Sequence, residues 1–534
     1  MPMITIDGRT LEAAPGETIL QAARRAGVEI PTLCYLEGHE AGSSCMVCAV
    51  KNHANGQFIP ACGSRAIDGM VISHETEEVR ETRRMALELL FSDHLGDCLS
   101  PCQRICPAHL GIPVVLKDLR AGEFGLAAGA ARRDLALAGI LCRVCQRPCE
   151  HGCRRTSHDE SVAIAELVTH AVDTELAAGP PRALAAAPAG VARRVAVVGA
   201  GFTGLSAAWF LAQAGIACTV IDEHAAPGTT IRAEFPELPP GLLDTELDLL
   251  ARSGVSFRPA TRVADAAALE ELLENFAAVV LATGPGTAKQ IAALGLGPEG
   301  KHPVVDAESM LTRVPRVFCG GRALKAAAQP VFRVADGKAL AHCVARLLTG
   351  QPVRRPLKPF SVFMGKPLDG EMPDLLQEAS PAARAVTLDP AHAIGESQRC
   401  LRCNCAKADT CKLRQLAVEY DAERHRFAPG ERLRFKRNLE HPLVAFEPGK
   451  CIRCGNCITV AGEYKEALGL TFIGRGFDVH LGVPFNESLS AGLLEAARAA
   501  VAACPTGALT LREEASDACC GCGGSDLDGT SCCK

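Results

Sequence analysis

The sequence predicts a multidomain protein of mixed α/β and α+β class, and three observations lead there. At 534 residues the chain is too long for one hydrophobic core, so three to five domains are expected. Residues 193–355 alternate apolar strand patterns with helical ones, the mark of a parallel sheet covered by helices. On either side, 24 of the 27 cysteines fall into six short groups, leaving only Cys218, Cys319 and Cys343 outside. The expected domains are 1–78, 79–178, 193–385, 386–425 and 430–515, with a Cys/Gly-rich tail at 516–534 and a Pro/Ala/Gly-rich linker at 179–190.

Composition narrows the function. Aromatics make up only 4% and the net charge is −5, so neither stacking rings nor a basic surface argues for nucleic acid or an anionic membrane. The first residues lack a basic stretch followed by an apolar one, and no run of about 20 apolar residues is present, so a cytoplasmic protein without a membrane span is expected. In a reducing compartment, grouped thiols read as metal ligands rather than disulfides.

Residues 3–32 read as strand, turn, strand and a helix over 18–26, followed by a cysteine-lined loop. Cys34, Cys45, Cys48 and Cys62 are spaced C-x10-C-x2-C-x13-C, and the loop AGSSCMVC is small enough for backbone amides to approach sulfide. Four thiolates of this kind hold a [2Fe–2S] centre, here in a β-grasp domain. The pattern resembles the N-terminal ferredoxin domain of the large iron–sulfur subunit of NADH:quinone oxidoreductase and of related hydrogenases and formate dehydrogenases. The resemblance covers residues 3–106, including RRMALELLFSDH in a helix expected over 79–96.

The next group is His94-x3-Cys98-x3-Cys102-x3-Cys106-Pro107, followed by Cys142-x2-Cys145-x3-Cys149-x3-Cys153, with a helix expected over 112–133 between them. In the subunit just named, a His and three Cys bind one [4Fe–4S] cluster, although the gaps between cysteines differ here. Together with CQRICPAHLGIPVVLKDLRAGEF the second group is similar to the two-cluster domain that precedes the flavin in the glutamate synthase small subunit. That family shares ligands between the segments, its Cys before Pro (Cys106 here) joining the second cluster. A Gln or Glu ligand of the family corresponds to Val168, which cannot ligate. Two partitions stay open. Either His94, Cys98, Cys102 and Cys106 hold one helical-domain cube and Cys142, Cys145, Cys149 and Cys153 the other, or Cys106 moves to the second and Cys142 or another group completes the first.

The stretch RRVAVVGAGFTGLSAAWFLAQAGIACTVID sets Gly199-x-Gly201-x-x-Gly204 between a strand and a helix, with Asp222 closing a second strand 18 residues on. These glycines permit a tight turn, approach of a pyrophosphate and close helix packing, and the acid takes ribose hydroxyls. PGTTIRAEFPELP with Gly228, LATG with Gly284, and VFCGG with Gly320 and Gly321 resemble the Rossmann-like FAD domain of the same glutamate-synthase-like family. Two departures are Arg322, where the family has Asp, and Thr229, where it has Gly. A third is larger. About 35 residues separate Gly284 from Phe318, too few for the family's NADPH-binding unit.

Cys451-x2-Cys454-x2-Cys457 is followed 47 residues later by Cys504-Pro505. In a two-cluster ferredoxin the last cysteine of each run serves the other cluster. One cluster then has Cys451, Cys454, Cys457 and Cys504. The other would need positions held by Ala461, Leu494, Ala497 and Ala500, so a ferredoxin-like domain with a single [4Fe–4S] is expected. Cys400-x2-Cys403-x-Cys405-x5-Cys411 forms a further candidate group, so the chain carries three [4Fe–4S] clusters, or four if this group holds one.

A flavin with several clusters makes an electron wire. The expected function is an electron-transfer flavo-iron–sulfur subunit, with catalytic or NADH-oxidising protein subunits as partners. The competing expectation is a stand-alone NAD(P)H-dependent reductase of the glutamate synthase small-subunit type.

Overall fold

The computed structural model describes residues 1–183, 194–284, 288–297, 303–325, 329–427 and 430–512. The expected linker falls partly outside these residues and the Cys/Gly-rich tail wholly so. The chain divides into two units, one made of Met1–Leu99, Phe360–Gln377 and Cys403–Lys534, the other of Ser100–Pro359 and Glu378–Arg402.

In the first unit β1 (Met3–Ile6) and β2 (Arg9–Glu12) form a hairpin whose turn residues, Asp7 and Gly8, both have positive φ, as a tight hairpin turn requires. Thr18 caps α1 (Ile19–Arg25) through a reciprocal bond with Gln21, and the helix buries Ile19, Leu20, Ala22 and Ala23. With β3 (Ala49–Asn52), β4 (Phe58–Pro60) and β5 (Val71–Ser73) the sheet runs β2-β1-β5-β3-β4, with β1 and β5 parallel. The helix α2 (Glu77–Ser92) ends short of residue 96. Its continuation is diverted because the Leu95 N–H donates to the Gly449 carbonyl (2.7 Å) and Gly96 adopts φ +146°. That diversion leaves 93–98 outside the helix, with His94 and Cys98 among them.

The second unit opens with α3 (Pro101–Ile105), α4 (Ile112–Arg120), α5 (Phe124–Asp134), α6 (Ala138–Val144), α7 (Pro148–His151) and α8 (Ile164–Ala178). The helix expected over 112–133 is broken in two at Gly122, φ +78°. A nucleotide-type half follows: β6 (Val195–Val198), α9 (Phe202–Gln213), β7 (Cys218–Ile221), α10 (Thr229–Glu234), α11 (Leu242–Arg252), β8 (Val255–Arg258), α12 (Ala266–Asn275), β9 (Ala278–Leu281), α13 (Ala288–Ala293), β10 (Val317–Cys319) and α14 (Pro330–Leu348). The sheet is all parallel in the order β10-β9-β6-β7-β8. Strands β6, β7, β9 and β10 are buried on both faces, whereas the edge strand β8 is partly exposed. Helix α14 crosses α9 so closely that a Cβ on Gly337 would sit 2.5 Å from the Thr203 carbonyl oxygen.

Beyond it α15 (Met372–Leu376) belongs to the first unit and α16 (Pro390–Gln398) to the second. The first unit is completed by α17 (Lys412–Glu419), β11 (Val444–Phe446), α18 (Asn456–Glu463), β12 (Thr471–Ile473), β13 (His480–Gly482), α19 (Leu489–Gly492), α20 (Ala497–Ala503) and β14 (Leu509–Leu511). Arg83 of α2 is fully buried there, donating to the Ala49 carbonyl and the Tyr420 hydroxyl, so its charge is met by oxygen on both sides. Among the described residues no helix is long and apolar enough to cross a membrane.

Candidate functional site

Cys34, Cys45, Cys48 and Cys62 come together beside the N-terminal sheet, each at most 7% exposed. Cys34 meets Cys45 and Cys62, and Cys48 meets Cys62. Hydrogen bonds from Cys45 and Cys62 pull the Cys34 thiol down, and the same bonds push the Cys45 and Cys62 thiols up. The loop achieves this with Ser43 and Met46 at positive φ, turning backbone N–H groups inward. A Cβ on Gly63 would lie 2.1 Å from Ser43 Oγ, so the small residue there is needed to close the loop.

In the second unit α3 packs against α7, with Ile105 so near Gly152 that a Cβ there would sit 2.9 Å away. This contact sorts the thiols. Cys149 lies within electrostatic reach of Cys106, Cys142 and Cys145, making these four one set. Cys142 thus joins Cys106, and its helix α6 packs against α8, which bears Val168 where the glutamate-synthase-like family has a ligand. Cys106 also receives the N–H groups of Leu110, Ala108 and His109. Cys153 instead neighbours Cys400. Cys102 precedes Cys106 on α3, its thiol 3.1 Å from Ser100 Oγ.

His94 and Cys98 belong to the first unit and Cys102 and Cys106 to the second, so the four-residue run splits. The 400–411 group splits likewise, with Cys400 in the second unit and Cys403, Cys405 and Cys411 in the first. Cys403, half-buried, begins its segment. His94, Cys98, Cys405 and Cys411 surround a cavity of about 270 Å³ together with Lys450 and Arg414. Burial, reinforced by the charge of Lys450, drives the His94 pKa down to about 4, leaving a neutral imidazole. Its Nδ1 is enclosed and has no hydrogen-bond partner among the described residues. An unmet buried group of this kind costs about 1–3 kcal/mol.

Cys451, Cys454, Cys457 and Cys504 ring a second cavity of about 350 Å³. The positions that would serve a second ferredoxin cluster have been filled with core. Ala461, Ala497 and Ala500 are buried between the packed helices α18 and α20, and Leu494 faces outward at 64% exposure.

A signal the motif reading missed recurs three times. In Cys145-x-Arg147, Cys400-x-Arg402 and Cys451-x-Arg453 the arginine adopts the left-handed conformation, with φ 55°, 50° and 54°. Its N–H then donates to the cysteine Sγ at 3.4, 3.5 and 3.4 Å. Left-handed backbone at a non-glycine residue is strained, and such strain persists where it serves a site. Here it aims a dipole at a sulfur that carries charge once metal is bound. Among the described residues no three His, Cys, Asp or Glu side chains converge tightly enough for a single metal ion. His94, Cys98, Cys405 and Cys411 line one space and Cys451, Cys454, Cys457 and Cys504 another, four candidate ligands each, the number a four-iron cube takes.

A cleft of the second unit opens at the carboxyl ends of β6, β7 and β9. Gly199, Gly201, Asp222 and Gly284 line it. Gly199 has φ +111°, and a Cβ there would meet the Ala282 oxygen at 2.4 Å. The N-terminus of α9 carries no side-chain cap, leaving its first N–H groups for an anion. Asp222 accepts the Ala200 N–H at 2.6 Å and the His224 N–H at 2.9 Å, which fixes the carboxylate at the strand end. These features fit a dinucleotide. Gly204, Gly228, Gly320 and Gly321 stand behind the lining instead. A Cβ on Gly204 would lie 1.8 Å from the Gly199 oxygen, and one on Gly321 would lie 2.1 Å from Thr203 Oγ1. Sequence reading missed the charged rim. Glu234 is clamped by both guanidinium nitrogens of Arg333, and Arg322 approaches it at 3.3 Å. The segment after Gly284 also lines the cleft, through Gln290, Ile291, Leu294, Leu296 and Pro303.

Residues 3–77 match the family described as 2Fe-2S iron-sulfur cluster binding domain. Residues 93–180 match dihydropyrimidine dehydrogenase domain II, 4Fe-4S cluster, and residues 194–234 match FAD dependent oxidoreductase. The chain is 34% identical to the NADP(+)-dependent formate dehydrogenase subunit beta of Moorella thermoacetica over 35% of its own length and 29% of that protein. It is 34% identical to the NADPH-Fe(3+) oxidoreductase subunit beta of Geobacter sulfurreducens over 37% of its length and 30% of that protein. It is 33% identical to the NADP-reducing hydrogenase subunit HndD of Solidesulfovibrio fructosivorans over 28% of its length and 28% of that protein. The chain therefore spans about a third or less of these relatives.

Proposed function

We propose that the chain is a flavo-iron–sulfur electron-transfer subunit of a cytoplasmic oxidoreductase complex of the formate dehydrogenase, hydrogenase or NADH dehydrogenase type. Its partners are catalytic or NADH-oxidising subunits. Residues 1–78 hold the [2Fe–2S] centre, 79–178 the helical-domain cubes, 193–385 FAD, and 430–515 the ferredoxin-type cube.

One observation carries this reading: two thiol sets of different type are neighbours. The Cys454 thiol lies within electrostatic reach of Cys34. A Cβ on Gly42 would sit only 3.5 Å from the Cys454 carbonyl oxygen. Centres set side by side pass electrons; centres that merely brace a fold need no such proximity. When bound, the clusters supply one-electron steps and the flavin one- or two-electron steps. The protein's own groups do the rest. Burial excludes water from the thiols. The N–H groups of Arg147, Arg402 and Arg453 stabilise negative charge on sulfur, which favours the reduced state. No two cysteines among the described residues form a disulfide, as suits a reducing compartment.

The test is anaerobic isolation with flavin and iron analysis and a dithionite titration followed by EPR. FAD and at least about 14 iron atoms per chain are expected, from one [2Fe–2S] and three [4Fe–4S] centres. Iron near two per chain after reconstitution would end the multi-centre reading.

A further inference from the structure

We propose that His94, Cys98, Cys405 and Cys411 hold a further [4Fe–4S] cluster, ligated by one imidazole and three thiolates from two segments about 300 residues apart in sequence. Its role as a relay rests on the electron-transfer reading; its existence does not.

The backbone builds the site. Asp97 and Asn404 pair in a parallel bridge, and the Cys405 N–H donates to the Cys98 carbonyl at 3.3 Å. These bonds fix the register of the two segments, so Cys98 and Cys405 face the same space. Cys411 arrives from the start of α17, whose first residue, Lys412, donates its N–H to the Pro505 carbonyl at 3.0 Å. Two glycines allow the segments to close. A Cβ on Gly507 would meet Cys405 Sγ at 2.1 Å, and one on Gly96 would meet Lys450 Cε at 2.7 Å.

The space is of the right kind. Four candidate ligands line it, as four line the space ringed by Cys451, Cys454, Cys457 and Cys504, whose spacing obeys the ferredoxin rule. His94 Nδ1 lacks a hydrogen-bond partner among the described residues, as a metal ligand's free nitrogen would. Three thiolates and a neutral imidazole leave a cube with net negative charge. Lys450 and Arg414 line the cavity to offset it, Lys450 being held in place by Glu447 at 2.7 Å. The position also makes sense for a relay. Lys450 and Gly507 line this cavity, and their chain neighbours Cys451, Thr506 and Ala508 line the ferredoxin-type site.

The full-length chain, isolated anaerobically, decides it. The iron content should be about 18 rather than 14 atoms per chain. Cys98→Ala, Cys405→Ala and Cys411→Ala should each lose about four irons and the same EPR signal, while Cys102→Ala loses a different one. In protein labelled with [15N]histidine, one cubane signal should carry a strong nitrogen coupling in pulsed EPR. His94→Cys should keep the iron and abolish that coupling. Retention of the [2Fe–2S] signal checks folding in every variant, and the wild-type coupling decides the matter even where an alanine variant fails to fold. Absence of any histidine coupling, or a Cys98-dependent signal that survives in Cys405→Ala and Cys411→Ala, would overturn the proposal while leaving the relay reading standing on about 14 irons. Iron near two per chain would overturn both.

Discussion

The N-terminal thiol set and the eight ligand candidates of residues 94–153 began as equally plain motifs, and the fold treats them differently. Cys34, Cys45, Cys48 and Cys62 close on one another within one loop and its return strand. The eight candidates are divided, His94 and Cys98 going to one unit and the remaining six to the other. The difference lies in what sets the geometry. A loop with residues at positive φ can bring thiols together by its own turns. Cysteines on separate short helices are brought together only by how those helices pack, and here α3 against α7 decides which thiols meet.

The largest effect that could break this contrast concerns the ferredoxin-type site, which combines a local run with a distant cysteine. Cys457→Ala should remove one entire cubane signal and about four irons, leaving the other signals in place. Cys504→Ala should remove the same signal. If the two variants lose different signals, the pairing of Cys504 with the 451–457 run is wrong and that site is no more local than the others.

A smaller but sharper effect lies at Cys142. The sequence showed that Val168 cannot ligate and left open whether Cys142 compensates. The structure puts Cys142 with Cys106, Cys145 and Cys149. Cys142→Ala should therefore destabilise the same cubane signal that Cys106→Ala abolishes, measured as iron and signal lost on air exposure or dilution. Cys153→Ala should act on a different signal. Loss of one common signal in Cys142→Ala and Cys153→Ala, with a different signal lost in Cys106→Ala, would restore the contiguous partition of Cys142, Cys145, Cys149 and Cys153. The example shows where sequence reading stopped. Spacing picked out the candidate ligands, because cysteines at such short intervals have few other uses. It could not assign them, because assignment depends on contacts such as Asp97 with Asn404 that no local pattern encodes. The Cys-x-Arg step was readable in the string but carried no meaning until its left-handed backbone was seen. By contrast the non-ligating residues at the second ferredoxin positions were legible in the string itself. Ala461, Ala497 and Ala500 turn out to be core residues where thiols would otherwise stand.

The flavin half was legible for a different reason, since its glycines answer to one backbone turn rather than to distant packing. Gly204 tests this. An added methyl would sit 1.8 Å from the Gly199 oxygen, a clash with backbone that cannot yield cheaply. Overpacking of this kind costs about 1–3 kcal/mol, so Gly204→Ala should weaken FAD binding by roughly ten- to a hundredfold, read by ultrafiltration and flavin fluorescence. The cubane signals should persist. Their loss alongside the flavin would mean that the two classes of site are coupled rather than independently built.

The smallest expected effect is no response at all. The cleft carries one dinucleotide turn, at Gly199, Gly201 and Gly204, and the described part of the segment between Gly284 and Val317 offers the short helix α13, not a second strand–turn–helix unit. Gln290, Ile291, Leu294 and Leu296 from that segment line the same cleft. Hydride transfer needs the nicotinamide C4 held at contact distance over the flavin ring, and orientation of that sort is worth about 7–11 kcal/mol of the barrier. A nicotinamide with no surface of its own forfeits most of this. The isolated chain mixed anaerobically with NADH or NADPH should therefore show flavin bleaching far slower than any turnover, whereas dithionite should reduce flavin and clusters readily. Adding a partner subunit that carries its own nicotinamide site should restore fast bleaching, with the cluster EPR signals appearing before or together with flavin reduction, since the electrons then arrive through the thiol sites. Rapid stoichiometric bleaching of the lone chain by either nucleotide would make the chain a reductase in its own right, with α13 and its neighbours forming part of a nicotinamide site.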